Sequence, residues 1–504
     1  MALAATVLLV AVVPGAAARS DPALRIESLS PAVISPNGNG VNDTLRVRTN
    51  ANALLGLRVY AWGGRLVGWT RIRTGVSSPG PDLSWNGSAS TGRTLGDGSY
   101  LLTVCYKDSA RALAPRGVAR PGVAEASVRR APWRRSGCAA DPRVVRVERL
   151  AAYVDSTGSF RRGERVPLIL SADRGAATQR LQADCDGSAS LARPGLYHEV
   201  VRDPVGDEFQ APVVIRARQP LDRPRPHTAL VVWPYLTWRA YNAYDADLNG
   251  IPDSWYQFWP QRRVSLKGPI LRGGVEDDHR AAAPFSRWLC SRNVRTQHVT
   301  DVELGRLSPE VLERYAAVVF PGHTEYYEPK TYDLLKRYRD GGGNLVFLQA
   351  NPFYRQVRLD PERNAMVMTD YDARSGPRSD FALAGVGYDG CCFPRGRAVP
   401  YVAASGRDYE RVRWLFRGTG IRPGQAFGYA GSESDRLDPE LTPRDHVVAA
   451  QAIIRGKRGA IHAALVWSRA GRGEVLATGN YTFLRMGRGL TYKLLDNVWR
   501  RFVG

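Results

Sequence analysis

Lysine is scarce in this chain, and so are the motifs that usually assign a catalytic chemistry. Only six of its 70 basic residues are lysine, so the formal net charge of +22 comes almost wholly from arginine. These arginines are dispersed, without the dense runs of nucleic-acid-binding arms, and we therefore expect solvated surface charge and no nucleic-acid partner. Attraction to anionic cell-wall polymers or membrane surfaces stays open. The absence of CxxC and GxSxG motifs argues against a thiolate zinc site and a serine-hydrolase elbow.

Long hydrophobic runs are also lacking, apart from one at the N-terminus. Residues 2–13 form an apolar run that is short for a bilayer span, and Pro14 interrupts it. The small residues 16–18 then fit a signal-peptide cleavage site, although a basic segment before the run is missing. Residues 1–20 are therefore predicted to be a signal peptide or an N-terminal anchor. This predicts a secreted or cell-surface protein.

The chain has six cysteines, an even number that permits disulfide bonds in an exported protein. Cys105 and Cys138 form a plausible pair, since both flank one arginine-, alanine- and proline-rich stretch. The adjacent residues Cys391 and Cys392 are expected not to bond to each other.

Residues 24–108 predict a small β-sandwich. Short runs with alternating apolar residues recur there, and clusters of turn residues separate them. The stretches Ser35–Thr44, Trp85–Gly87 and Leu95–Tyr100 resemble the signatures of immunoglobulin-like modules in bacterial surface proteins and flagellar hook-capping proteins. That resemblance implies a spacer or an adhesion unit.

Two further segments precede the largest domain. Residues 109–142 have too little apolar periodicity to form a core, which predicts a linker. Residues 143–222 contain several short apolar runs, beginning with Val144–Glu148, and predict a second β domain.

Residues 226–504 change to an alternating strand and helix pattern, and Thr228–Tyr256 is their most informative stretch. There the buried-type strand Ala229–Trp233 runs into a polar, aromatic-rich segment that ends in an acidic loop. The βαβ rhythm predicts a mainly parallel sheet with helices on both faces. Because ligands collect outside the carboxyl ends of such strands, we expect a site at that edge.

Three stretches of this region resemble, in the same order, motifs of one known family: TWRAYN (Thr237–Asn242), PGHTEYY (Pro321–Tyr327) and GNLVFLQAN (Gly343–Asn351). Together they resemble the C-terminal domain of the large, or β, subunit of N,N-dimethylformamidase. The resemblance implies a glutamine-amidotransferase-like α/β fold and metal-dependent hydrolysis of the C–N bond of a small linear amide. It also implies one iron ion held by two tyrosines and a glutamate.

Carried over residue by residue, the resemblance places the iron at Glu325 and Tyr241. Tyr197 is the candidate for the second tyrosine by order and approximate spacing, with Tyr244 and Tyr256 as rivals. Phenolate and carboxylate oxygens are hard anionic ligands that suit ferric iron.

Two neighbouring polar residues are candidates for catalysis. His323 lies two positions before Glu325 and is predicted to move a proton. Asn242 follows Tyr241 and is predicted to hold the substrate carbonyl.

Immediately after TWRAYN, the chain departs from the family pattern. The loop that follows resembles the calcium loops of thrombospondin-type and dockerin-type repeats, because oxygen ligands recur at alternate positions around a glycine. The predicted calcium ligands are Asp245, Asp247, Asn249, Ile251 through its carbonyl, and Asp253.

Two functions therefore compete at the level of sequence. The motifs favour a secreted hydrolase that acts on a small amide. The predicted sandwich and calcium loop favour a cell-surface binding or adhesion protein without turnover, stabilised by calcium.

Overall fold

A computed structural model describes residues 24–106, 138–182 and 193–504, with gaps at 31–32, 35–43, 51–54, 62–64, 72–82, 89–92, 94, 96–97, 140–142, 148–149, 171–176, 203–207, 243, 245, 247–252, 256–262, 271–275, 374–375, 392–398, 432 and 457–458. The predicted signal peptide or anchor lies outside these residues, and so does nearly all of the predicted linker. No helix in the described ranges is both long and apolar enough to cross a membrane.

The N-terminal part consists of two sheets over one hydrophobic core. Its strands are β1 (Ile26–Ser30), β2 (Val33–Ile34), β3 (Leu45–Thr49), β4 (Leu55–Ala61), β5 (Arg65–Arg71), β6 (Leu83–Trp85), β7 (Gly98–Tyr106) and β8 (Arg143–Val147). The sheets have the orders β1-β3-β6 and β2-β8-β7-β4-β5. Leu45 and Val47 of one sheet share the core with Leu57 and Val104 of the other, as alternating strand residues should. The immunoglobulin-like assignment stays a prediction.

Strand β8 corrects one predicted boundary. The sequence assigns Val144–Val147 to the second β domain, but β8 pairs antiparallel with β7 and parallel with β2 of the first module. The expected disulfide between Cys105 and Cys138 is confirmed, and it holds the returning chain beside the end of β7. Cys290 and Cys391 are also disulfide-bonded.

A second group of strands follows and packs against the last domain. It comprises β9 (Ala152–Val154), β10 (Phe160–Arg161), β11 (Leu168–Leu170), β12 (Ala177–Gln182), β13 (Gly195–Arg202) and β14 (Glu208–Arg216). The sheet orders are β10-β14-β13-β12 and β11-β9. Leu196 and Val214 belong to the main core of the last domain. In addition, the backbone N–H of Ser159 donates a hydrogen bond to the Glu303 side chain at 2.7 Å. This bond links the second group of strands to the last domain.

The last domain is a mixed α/β structure. Its strands are β15 (Ala229–Trp233), β16 (Arg263–Ser265), β17 (Thr296–Thr300), β18 (Ala317–Phe320), β19 (Tyr326–Tyr327), β20 (Asn344–Phe347), β21 (Arg355–Asp360), β22 (Ala365–Asp370), β23 (Gly387–Gly390), β24 (Val399–Ala403), β25 (Ala426–Ala430), β26 (Ser434–Arg436), β27 (Asp445–Gly456), β28 (Gly459–Ala470) and β29 (Gly473–Ala477). Its helices are α1 (Tyr235–Ala240), α2 (Glu276–Ser291), α3 (Asp301–Leu304), α4 (Pro309–Leu312), α5 (Pro329–Asp340), α6 (Asp380–Ala384), α7 (Gly406–Phe416) and α8 (Arg488–Phe502), with a 3-10 turn at Phe483–Arg485.

The central sheet is parallel in one half only. Its nine strands have the order β17-β15-β18-β20-β29-β28-β27-β24-β25. The first five run parallel, as predicted, whereas β28, β27, β24 and β25 are antiparallel to their neighbours. The prediction of a mainly parallel sheet therefore missed this second half. Only two residues of sequence separate its 12-residue strands β27 and β28, and so short a connection can join only antiparallel strands.

Helices cover both faces of the parallel half, as predicted. Successive residues of β15 enter two different cores, because strand side chains alternate between faces. Val231 packs in the core that contains Phe285 of α2 and Leu494 of α8. Val232 packs in the core that contains Leu335 of α5. The closer resemblance to a glutamine-amidotransferase-like fold stays a prediction.

Candidate active site

The carboxyl ends of the parallel strands meet at one edge of the sheet, and polar side chains collect there. After β15 the polar, aromatic-rich segment forms the short helix α1. All six residues of α1 are buried. The carboxylate of Asp301, which follows β17, accepts a hydrogen bond from the Leu236 N–H at 3.1 Å. The helix thus satisfies backbone groups that a buried extended segment would leave unpaired.

Tyr241 and Glu325 converge at this edge. Tyr241 follows α1, and its hydroxyl donates a hydrogen bond to the Glu325 carboxylate. The backbone N–H of Glu325 donates to the Thr237 hydroxyl at 3.1 Å, which ties the loop after β18 to α1. Only 2% of Glu325 is exposed to solvent. The structure therefore brings together the two iron ligands that the motifs predicted most directly.

Arg355 balances the charge of this buried carboxylate. Its Nε lies 2.7 Å from Glu325 Oε1. Its guanidinium lies 5.6, 5.1 and 4.3 Å from the ring centroids of Tyr326, Tyr354 and Tyr371. Burial raises the pKa of the Glu325 carboxyl, while the charge of Arg355 opposes that rise. The sequence analysis missed Arg355, because a buried carboxylate calls for a counter-charge but does not say which arginine supplies it.

His323 belongs to a second polar group beside the first. Its Nε2 lies 2.9 Å from the Glu433 carboxylate, and only 1% of the histidine is exposed. The Asn351 side-chain N–H donates to the same carboxylate at 2.7 Å. The imidazole ring lies 5.9 Å from the Tyr241 ring, so the two groups are neighbours.

The positions of Asn351 and Glu433 are linked through the separate two-stranded sheet of β23 and β26, since Glu433 directly precedes β26. Asn351 adopts a left-handed backbone, with φ 55°, after β20. The Asn351 backbone N–H donates a hydrogen bond to the Asp435 carboxylate at 3.1 Å. Asp435 lies in β26, two residues after Glu433. Burial raises the pKa of Asp435 well above its ordinary value, against the effect of this hydrogen bond. Asn351 ends the third of the family motifs, GNLVFLQAN, whereas no motif marks Glu433.

Tyr197 and Asn242 have other partners. Tyr197 lies in a hydrophobic cluster with Phe160 and Val213, and its hydroxyl donates to the Arg193 carbonyl at 2.5 Å. Strand alternation turns Leu196, not Tyr197, toward the α/β core. The Asn242 side-chain N–H donates to the Pro269 carbonyl at 2.9 Å. These contacts place Tyr197 inside the second β domain and give Asn242 a role in loop structure.

Tyr244 and Asp253 lie at the two ends of the predicted calcium loop. Tyr244 accepts a hydrogen bond from Arg146 through its hydroxyl, and Tyr256 lies outside the described residues. Asp253 accepts a hydrogen bond from the Ala246 N–H at 3.0 Å. The other predicted calcium ligands lie outside the described residues; they are Asp245, Asp247, Asn249 and Ile251.

The described residues supply part of the donor set that iron would need. In the described part of the chain, no three His, Cys, Asp or Glu side chains converge as a metal-binding group. Tyr241 and Glu325 nevertheless place two hard oxygen donors at one point, and ferric iron favours such donors. Arg355 contacts one of the two Glu325 oxygens.

Comparison with known families agrees with these motifs. Residues 187–486, more than half of the chain, match the family described as N,N-dimethylformamidase beta subunit-like, C-terminal. The chain belongs to this family. The matched residues of the N,N-dimethylformamidase-like region include Tyr241, His323, Glu325, Arg355 and Glu433, so the whole polar edge lies within it.

Other comparisons add little to this assignment. No curated protein sequence matches the chain. One solved structure, named mmIFT52 N-terminal domain, is 13% identical and covers 44% of this chain and 89% of its own, with a TM-score of 0.28. So low a score carries no argument about fold or function.

Proposed function

We propose that this protein hydrolyses the C–N bond of a small amide at the edge formed by Tyr241 and Glu325, with iron as cofactor. The observation that carries the proposal is the hydrogen bond between these two side chains inside an N,N-dimethylformamidase-like region. The closer likeness to a glutamine-amidotransferase-like fold is part of the same proposal. It is supported by a parallel half-sheet with helices on both faces.

Tyr241 and Glu325 would hold the metal. When bound, iron supplies Lewis acidity, which polarises an amide carbonyl and lowers the pKa of bound water. The Thr237 hydroxyl and Arg355 hold Glu325 in one orientation, through its backbone N–H and one carboxylate oxygen respectively. Contacts of this kind support a metal site because they fix the orientation of its ligands.

His323 and Glu433 would carry out the proton transfer that hydrolysis needs. The Glu433 carboxylate beside the imidazole stabilises the protonated form of His323, as a carboxylate partner does in other hydrolases. His323 can then accept a proton from the attacking water and return it to the leaving amine. Asn351 keeps Glu433 in place through its side-chain N–H. The proton thus moves within groups that are nearly closed to solvent.

The test combines metal analysis with a panel of formamides and acetamides. We expect close to one equivalent of iron in the purified protein, together with a tyrosinate-to-iron absorption band. The Glu325→Gln variant should lose the iron and the band, and hydrolysis should fall by at least about 100-fold, since iron provides the Lewis acid. Glu310→Gln is the matched control, because Glu310 is largely exposed on α4. Iron-free protein that hydrolyses none of the amides would refute the proposal.

Binding without turnover is the second candidate function, and one contact favours it. Arg355 already occupies one oxygen of Glu325 at 2.7 Å, which leaves that carboxylate fewer lone pairs for a metal. A purified protein that carries only calcium, and binds amides without cleaving them, would support this candidate.

We also propose that the protein is exported, because its cysteines form disulfide bonds. The disulfide between Cys105 and Cys138, with the bonded states of Cys290 and Cys391, supports an oxidising compartment. Detection of the protein in the culture medium or on the cell surface tests this. A purely cytoplasmic location would contradict it.

We also propose calcium in the loop after Tyr244. The Asp253 backbone N–H donates to the Tyr244 carbonyl at 2.9 Å, so the two ends of the loop lie together, as a ligand loop requires. Calcium should raise the thermal midpoint of the wild type, whereas Asp247→Asn should abolish the shift. An equal shift in both proteins would contradict the proposal.

A further inference from the structure

A second cleft lies at the start of α8, about 400 Å³ in volume. It lies between α2 and the turn that precedes α8. Its walls include Arg287, Leu484, Arg485, Gly487, Arg488 and Tyr492. No acidic side chain is among the described residues that line it. A cleft with three arginines and no carboxylate is strongly positive.

Two of these arginines have no acidic partner among the described residues. In the described part of the chain, neither Arg485 nor Arg488 has a salt bridge, and their guanidinium groups lie over aromatic rings instead. Arg485 lies 5.9 Å from the Tyr481 ring centroid, and Arg488 lies 5.4 Å from that of Tyr492. Guanidinium groups in such positions can donate paired hydrogen bonds to a carboxylate or a phosphate.

The N-terminus of α8 adds to the positive potential of the cleft. The helix has 15 residues, begins after Gly487, and has neither a side-chain cap nor an acidic residue in its first turn. Gly487 has φ 101°, so the backbone reaches the helix start without a side chain in the way. The first N–H groups of a helix favour anions when no cap satisfies them.

Tyr492 provides an independent indication of a ligand. It lines the cleft and is only 9% exposed, yet its buried hydroxyl oxygen has no hydrogen-bond partner among the residues that the structure describes. Buried hydroxyl groups are normally hydrogen-bonded, so an unpaired one calls for a specific explanation. A bound oxygen ligand beside Arg488 would supply the missing acceptor.

We propose that this cleft binds a small ligand through an anionic oxygen group, either a carboxylate or a phosphate. The arginines neutralise the charge, the first turn of α8 donates N–H groups, and the Tyr492 hydroxyl completes the set. The inference does not depend on amide hydrolysis, and Gly487, Arg488 and Tyr492 lie beyond the matched residues 187–486. The cleft is also close to the first site, since the Tyr481 ring under Arg485 lies 5.5 Å from the His323 ring.

Calorimetric titration of the full chain tests the proposal at low ionic strength, with inorganic phosphate and benzoate as separate probes. We expect at least one probe to bind, and its Kd to rise about tenfold in Arg488→Gln, because a charge-assisted hydrogen bond is lost. The exposed Arg422 carries the same charge outside the cleft, so Arg422→Gln should leave the Kd unchanged. Preference for phosphate or for benzoate identifies the anionic group.

Tyr492→Phe separates binding from folding. Removal of an unpaired buried hydroxyl should leave the thermal midpoint of the ligand-free protein equal or higher, while the Kd of the probe rises several-fold. The proposal is overturned if neither probe binds, or if Arg488→Gln and Arg422→Gln weaken binding equally. It is also overturned if Tyr492→Phe leaves the Kd unchanged.

Discussion

The Tyr241 hydroxyl donates a hydrogen bond to the Glu325 carboxylate across 84 positions of the sequence. The contact arises because β15 and β18 are parallel neighbours, so the segments that follow them leave the sheet at the same edge. Helix α1 then carries Tyr241 over that edge, and the Thr237 hydroxyl contacts the Glu325 backbone.

Replacement of Tyr241 by phenylalanine removes the hydroxyl and leaves the ring contacts in place. We expect Tyr241→Phe to lose the absorption band and most of the iron, with hydrolysis reduced by at least about 100-fold, because a metal ligand is gone. The control is Tyr338→Phe, whose buried hydroxyl donates to the Tyr315 carbonyl on the other face of the sheet. Tyr338→Phe should lose some stability but keep the iron.

Glu433 is expected to act through His323 and not as a metal ligand. Glu433→Gln keeps the size of the side chain and an acceptor for Asn351 but removes the charge beside the imidazole. We expect kcat to fall by about 100-fold, with KM and iron content unchanged, since proton transfer of this kind contributes about that much. Glu440→Gln, at an exposed position, is the control. A change in KM alone would show that Glu433 positions substrate instead.

Arg355 should stabilise the fold mainly through Glu325. We expect Arg355→Gln to lower the free energy of unfolding by about 3–5 kcal/mol, because it leaves a buried carboxylate without its counter-charge. Urea unfolding should show that the double variant Arg355→Gln with Glu325→Gln recovers part of this loss. Strictly additive losses in the double variant would mean that the two side chains act independently.

His298 should make the fold sensitive to acid. The Trp233 indole N–H donates to its Nδ1 at 3.0 Å, and burial lowers the pKa of His298 to about 3. The unfolded value is near 6.5, so between these pH values the unfolded chain binds a proton that the folded chain does not. This contribution to stability is therefore present above about pH 6.5 and is lost as the pH falls, by up to about 1.4 kcal/mol per pH unit.

Urea unfolding at pH 7, 6 and 5 measures this effect. The slope of stability against pH should be smaller in His298→Gln than in the wild type. His446 is partly exposed, and His446→Gln should keep the wild-type slope. Equal slopes in wild type and His298→Gln would show that His298 does not titrate between folded and unfolded states.

Local sequence patterns were enough to predict the strands of the parallel half of the sheet. The uninterrupted apolar runs of β15, β18 and β20 predict fully buried strands, and the structure places them side by side. The amphipathic pattern from Glu328 to Arg339 and the glycines at 341–343 predict a helix, and α5 occupies Pro329–Asp340. The long hairpin of β27 and β28 was missed, although the two residues between Gly456 and Gly459 are a hairpin signal, because the alternating rhythm of strands and helices was extended to the whole domain.

The residues of the candidate site also divide into those that the sequence predicts and those that it does not. Tyr241, His323 and Glu325 lie in short motifs whose order along the chain is visible in the sequence. Arg355 and Glu433 lie in no such motif, and Tyr197 was assigned only from its order and approximate spacing. Spacing along a strand cannot tell which face a side chain takes when the register is unknown, and β13 turns Tyr197 away from the α/β core.

The sequence by itself determined the alternation of strands and helices around the parallel half of the sheet, the family of the last domain, and the motifs that contain Tyr241 and Glu325. These features depend on local periodicity and short motifs, which are properties of neighbouring residues. Only the tertiary structure decided that Arg355 pairs with Glu325, that Glu433 contacts His323, and that the cleft beside Tyr492 is lined by arginines without acids. Each of these depends on distances between residues far apart in the chain, and such distances are set by how the sheet brings its strand ends together.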